Sequence, residues 1–186
     1  MTVLIVHGLG GSGPDHWQTW LAGRLRQRGL EVAYPDLPDP DEPILEAWLE
    51  ALSRELENLD PPRLNVACHS LGSVAWLHLA SRRQERLVAH VLLVAPPSAG
   101  AAVAEIADFV PAPIEPEAVE AAAETTRIVC ADAGDPYCPE GPVLWKPLGV
   151  PIDVIPGGGH LNSDAGYGPW PAVEAWCLDP ASGSLA

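Results

Sequence analysis

Ser70 stands in Cys68-His69-Ser70-Leu71-Gly72, between a short apolar run and a longer helical pattern. A serine on so tight a turn can hold its hydroxyl clear of its own backbone and attack a carbonyl carbon, as in the Gly-x-Ser-x-Gly nucleophile elbow. Small residues two before and two after the serine let strand and helix approach. Gly72 keeps that rule, and Cys68 replaces the first glycine with another small residue. A serine hydroxyl needs a base, and the base needs an acid to hold its tautomer. Further along come Asp132-Ala133-Gly134-Asp135-Pro136 and Gly157-Gly158-Gly159-His160. Ser70, Asp135, His160 is the Ser…Asp…His chain order of hydrolases built on open parallel sheets. Taken singly, Ser70 also reads as a helix N-cap, Asp135-Pro136 as a turn and His160 as a loop residue. Their arrival at successive strand ends is what points to acyl transfer.

The backbone N–H groups of Leu71, at a helix start, and of Leu9, in His7-Gly8-Leu9, are the expected oxyanion donors. A rival use of the first loop is open, because Gly8-Leu9-Gly10-Gly11-Ser12-Gly13 also fits the dinucleotide pattern G-x-G-x-x-G, with Asp36 placed as a ribose acid. Asp15 opposes it by putting a carboxylate at the helix start that a pyrophosphate would need. Asp132 and Asp164 compete with Asp135 for the acid role. His69 is expected to pack beside the elbow, His78 and His90 to be ordinary helix and strand residues, and Cys130 and Cys138 to be packing residues. His16 and Trp17 are read as lining an acyl pocket or packing in the first helical turn. No metal or cofactor is required.

The elements that must position these residues alternate along the chain. Strands are predicted at Thr2–Val6, Glu31–Tyr34, Arg63–Cys68, Val88–Ala95, Arg127–Ala131 and Ile152–Ile155. Val91-Leu92-Leu93-Val94 is apolar without alternation, the pattern of a strand buried on both faces. Helical stripes are predicted at Asp15–Arg28, Pro43–Asn58, Leu71–Arg83 and Pro169–Leu178. Strand–helix alternation predicts an α/β fold of three layers, an open, mostly parallel six-stranded sheet with helices on both faces. One domain is expected over residues 1–179, with a small cap segment at 96–126 and a frayed tail at 180–186.

Composition bounds what this fold can serve. The 186 residues carry 10 Lys+Arg against 25 Asp+Glu, a net charge of −15, which argues against nucleic acid and anionic membranes as partners. Hydrophobic residues at 47% suit a globular core. Four dispersed cysteines, with no leader ahead of Thr2, predict free thiols in the cytoplasm.

Together, Gly11-Ser12-Gly13-Pro14-Asp15-His16-Trp17-Gln18, His69-Ser70-Leu71-Gly72, Asp135-Pro136-Tyr137-Cys138, Gly159-His160-Leu161-Asn162 and Gly166-Tyr167-Gly168-Pro169-Trp170-Pro171 resemble the retinoblastoma-binding protein nine family of small serine hydrolases. The resemblance spans nearly the whole chain. It implies a minimal α/β-hydrolase fold with Ser70, Asp135 and His160 as a triad, favouring Asp135 as the acid. It implies an esterase or a peptidase-like hydrolase of poorly defined natural substrate, and the leading expectation is a carboxylic-ester hydrolase acting on small acyl substrates. The Leu-x-Cys-x-Glu stretch behind that family's retinoblastoma contact is absent, so that partner is not expected here.

Overall fold

Unbroken apolar strands must be covered on both faces, and that requirement sets the layering. The computed structural model describes residues 1–185. Six strands, β1 (Thr2–Val6), β2 (Glu31–Ala33), β3 (Leu64–His69), β4 (Val88–Val94), β5 (Ala123–Ala131) and β6 (Ile152–Ile155), form one sheet in the order β2-β1-β3-β4-β5-β6. Every pairing is parallel, so the expected mostly parallel sheet is wholly so. Along β1, Val3 and Ile5 pack with Trp17, Leu21 and Trp176, whereas Leu4 and Val6 pack with Trp48, Leu52 and Trp76. Helices α1 (Trp17–Gln27) and α5 (Pro171–Leu178) therefore cover one face, and α2 (Leu45–Glu57), α3 (Leu71–Arg83) and α4 (Pro116–Ala122) the other. The strand order reverses beside β1, between β2 and β3, and the crevice outside such a switch point is where open α/β sheets place ligands.

Three stretches depart from the sequence expectation. β5 begins at Ala123, four residues early, because Val88 pairs with Ala123 and carries the polar Glu124-Thr125-Thr126 into the sheet. Residues 96–126, expected to hold a small cap, bury Ile106 and Phe109 in the core and supply α4, the crossover helix into β5. Phe109 lies edge-on to Trp48, and its carbonyl accepts from His78 Nε2. The tail, expected to fray, is tied down through residue 185. Arg127 pairs with Asp153 at 3.0 Å and donates to Gly183 O, Leu185 N–H donates to Asp153, and Leu185 is buried. Among the described residues no helix is long and apolar enough to cross a membrane.

Glu174 clamps α5 to α1, accepting from Arg28 Nε at 2.6 Å and from Arg24 Nε at 3.3 Å. Burial pushes its carboxyl pKa up, but the two guanidiniums outweigh burial and hold it below the ordinary 4.5. A carboxyl depressed in the folded state stabilises above its unfolded-state value and loses that contribution as pH falls through the folded one. Thermal melts should therefore show Glu174→Gln less stable than wild type at pH 7, with the gap closing below the carboxylate range. An unchanged gap down to pH 3 would remove the clamp from the acid stability of this protein.

Candidate active site

Ser70 sits between β3 and α3 with φ +51° and ψ −123°, a conformation that non-glycine residues seldom adopt. Its N–H donates to Val94 O at 2.8 Å, which locks the turn to the end of β4. The turn also needs space. A Cβ on Gly72 would lie 2.5 Å from His7 O and 2.7 Å from Val6 O, both rigid backbone at the end of β1. A Cβ on Gly8 would meet Ser70 Cβ at 2.7 Å. Cys68 fills the position two before the serine without strain on this account, because its side chain points into the α2–α3 layer and is wholly buried. Burial pushes its thiol pKa far up, so Cys68 stays neutral. Gly72→Ala is expected to destabilise by about 3 kcal/mol, the upper end of overpacking costs. That is roughly 6–12 °C in Tm for a chain of this size. An unchanged melt would mean that β1 and α3 are not held in this contact.

The structure brings the three sequence-selected side chains together. Ser70 Oγ donates to His160 Nε2 at 2.8 Å, and His160 Nδ1 donates to both oxygens of Asp135 at 3.0 Å. All three are at least 93% buried, so little water competes for these bonds. Asp135 Oδ1 also accepts the Tyr137 N–H at 2.9 Å, and the Tyr137 ring lies 4.2 Å from the His160 ring.

Asp132 and Asp164 are not in this relay. Asp132 Oδ1 accepts from Ala133 N and Gly157 N, tying the loop after β5 to the loop that carries His160. Those two N–H groups, Gly157's foremost, hold its carboxyl pKa low. Asp164 lies in a short 3₁₀ turn, Ser163–Ala165. His90 meets Thr125, as an ordinary strand residue would.

His69 packs beside the elbow and His16 borders the cavity over Ser70, as expected, whereas the part played by His7 had no signal in the spacing. His69 Nε2–H donates to His160 O at 3.0 Å and so steadies the backbone of the histidine loop. Burial first, then proximity to His160 and His16, pushes its pKa well down, so it is neutral. His7 Nδ1–H donates to Gly8 O, while Nε2 accepts from Leu37 N at 3.1 Å. His7 thereby fixes the loop that carries Leu9. Gln18 is wholly buried, donates to Val6 O at 2.8 Å and accepts from Ser12 Oγ, pinning α1 to the end of β1.

A cavity of about 160 Å³ opens over Ser70, bordered by Gly8, Leu9, His16, Tyr137, His160 and Asn162. Leu9 borders it directly, and Leu71 is the first residue of α3, whose dipole adds partial positive charge there. Among the described residues neither N–H has a protein acceptor. A larger cavity, about 570 Å³, lies at the opposite ends of β5 and β6. No serine, cysteine or histidine lines it, so its size does not make it the place of chemistry. The glycine loop suits a dinucleotide poorly, because Gly10 N–H donates to Pro40 O and Gly11 N–H to Gly8 O. Phosphate binding would need such groups free. Among the described residues no three His, Cys, Asp or Glu side chains converge as metal ligands would.

A serine hydrolase family profile matches residues 3–178. The chain belongs to the serine hydrolase family. This hydrolase is 31% identical over 180 residues to YdeN, a candidate hydrolase of Bacillus subtilis (strain 168), with 92% of this chain and 91% of YdeN covered. The crystal structure of the B. subtilis ydeN gene product superposes with a TM-score of 0.79, at 24% identity in the structural alignment, over 95% of this chain and 96% of that one. A YdeN-like candidate hydrolase from Pectobacterium atrosepticum superposes with a TM-score of 0.69 at 23% identity, over 95% of this chain and 89% of the other. These superpositions share the open α/β hydrolase-like fold.

Proposed function

We propose that this serine hydrolase is a carboxylic-ester hydrolase that works through a Ser70–His160–Asp135 triad and an acyl-enzyme, on small acyl substrates. The observation that carries the reading is the unbroken run of hydrogen bonds from Ser70 Oγ through both ring nitrogens of His160 to Asp135. As Oγ bonds to the acyl carbon, His160 Nε2 takes the hydroxyl proton. The tetrahedral intermediate then expels the alkoxide, which leaves with that proton. Water, deprotonated by the same nitrogen, attacks the acyl-enzyme and frees Ser70. Asp135 keeps the proton on Nδ1 and stabilises the imidazolium. The N–H groups of Leu9 and Leu71 receive the oxyanion, each worth roughly 3 kcal/mol of barrier.

The cavity favours a short reacting group, since about 160 Å³ is below the roughly 300–1,000 Å³ of pockets that hold drug-sized ligands. The motif resemblance supports placing the chain near the retinoblastoma-binding protein nine branch of the family. The unpaired, buried cysteines support a reducing compartment, the cytoplasm. The test is labelling with a fluorophosphonate, followed by peptide mass spectrometry, beside hydrolysis of p-nitrophenyl acetate. The adduct is expected on Ser70, with turnover lost on labelling. Inert protein in both assays would instead identify a silent hydrolase fold that serves as an interaction module.

A further inference from the structure

His16 caps α1, and the cap fixes its tautomer. Its Nδ1 accepts the Gln18 N–H at 3.2 Å. A backbone N–H can only donate, so Nδ1 is the acceptor and the neutral ring carries its proton on Nε2. Burial, with His160 close by, pushes the His16 pKa down to about 4, so the ring is neutral at ordinary pH. The ring packs edge-on to His69, with centroids 4.7 Å apart, and His69 in turn lies 5.1 Å from His160. His16 is only 5% exposed and borders the small cavity over Ser70. Among the described residues no protein group accepts from its Nε2–H, and Nε2 is not among the sealed-off, unpartnered polar atoms, so it is reached through the cavity. With Nδ1 turned back to the helix, the opposite edge of the ring is the one left to the cavity. An occupant that displaces water from this N–H must supply an acceptor in its place, so one that carries such an oxygen gains affinity over one that does not.

An ester group has two oxygens. In the proposed mechanism the carbonyl oxygen goes to Leu9 and Leu71, and the alkoxy oxygen faces His160. A third donor therefore calls for a third acceptor. We propose that His16 is a substrate-contacting specificity residue whose Nε2–H donates to an additional oxygen beside the ester, selecting oxygen-bearing substrates over all-carbon ones. That oxygen can sit on the acyl chain or on the alcohol. Tyr137, Asn162 and Ser163 give the rest of the cavity wall a polar character that fits such a ligand. The inference rests on the serine esterase reading.

Two pairs of nearly isosteric esters separate the acyl side from the alcohol side: p-nitrophenyl methoxyacetate against p-nitrophenyl butyrate, and 2-methoxyethyl acetate against butyl acetate. Comparing wild type with variants cancels the differing intrinsic reactivity of the esters. Two variants separate the cap from the donor. His16→Asn keeps an acceptor where Nδ1 was but cannot reach the Nε2 position. His16→Gln places an amide N–H near the Nε2 position and gives up the cap. In His16→Asn the ratio of kcat/KM, oxygenated over all-carbon, is expected to fall about tenfold in at least one pair. Loss of the ring's packing against His69 lowers Tm in this variant too. Any general loss of Ser70 reactivity cancels in the ratio, because both esters of a pair meet the same nucleophile. His16→Gln is expected to restore the ratio while lowering Tm. Unchanged ratios in both pairs for folded His16→Asn, or a ratio in His16→Gln as low as in His16→Asn, overturn the role of His16 alone. Wild-type protein that neither labels nor turns over any of the four esters overturns the esterase reading with it.

Discussion

Ser70→Gly is expected to lower kcat by about a millionfold, as loss of the nucleophile does where a triad acts as a unit. It should nevertheless fold more stably than Ser70→Ala by about 1 kcal/mol. Alanine removes the hydroxyl but keeps a Cβ at φ +51°, so the strain of the elbow remains. Glycine adopts that conformation freely, and its larger unfolded-state entropy takes back only part of the gain. The difference is roughly 2–4 °C in Tm for a chain of this length. Calorimetry of the two variants beside p-nitrophenyl acetate kinetics reads both effects. Equal Tm values would place no strain at Ser70, and retained turnover in either variant would dismiss it as the nucleophile.

Asp135→Asn is expected to cost about 10⁴-fold in kcat with the fold intact. The reason is local. Asp135 Oδ1 accepts the Tyr137 N–H at 2.9 Å, and only an oxygen can keep that bond. An asparagine would therefore leave its oxygen with Tyr137 and turn its NH₂ toward His160 Nδ1. That nitrogen would have to accept, and the ring proton would move to Nε2. An Nε2–H cannot take the proton of Ser70, so the base is lost although every heavy atom stays in place. The downfield proton resonance of a buried Nδ1–H should disappear in the variant. Full activity would show that the tautomer is set by something other than Asp135.

Much of the fold was legible because the strands are short and unbrokenly apolar. Val91-Leu92-Leu93-Val94 has the pattern of a strand with both faces covered, and four helical stripes supplied the cover. The limits were misjudged where pairing overrides composition. The alanines and Glu124 favour helix and outweighed the β-branched Thr125 and Thr126, yet the stretch from Ala123 belongs to β5 because Val88 and His90 offer it hydrogen bonds. The tail has the composition of a frayed end, but a core site takes Leu185 and Arg127 takes the Gly183 carbonyl. The chemistry was legible in a different way. Ser70, Asp135 and His160 each follow a strand, and parallel strands deliver all such ends to one edge of the sheet.

The sequence alone determined the class of chemistry and the order of its parts, because alternation forces parallel strands and parallel strands gather their carboxyl ends. It also marked the small residues the elbow needs, Cys68 and Gly72, although the close approach of Gly72 to the Val6 and His7 carbonyls is a tertiary fact. Tertiary structure decided what spacing cannot express. It set Asp132 to bracing the histidine loop and left Asp135 to the imidazole. It gave four histidines four different tasks at one site: His7 holding a loop, His69 supporting His160, His160 bridging Ser70 and Asp135, and His16 capping α1 on the wall of the cavity. A histidine's tautomer and charge follow from the acceptors, donors and burial around it, and those come from chain segments far apart in sequence.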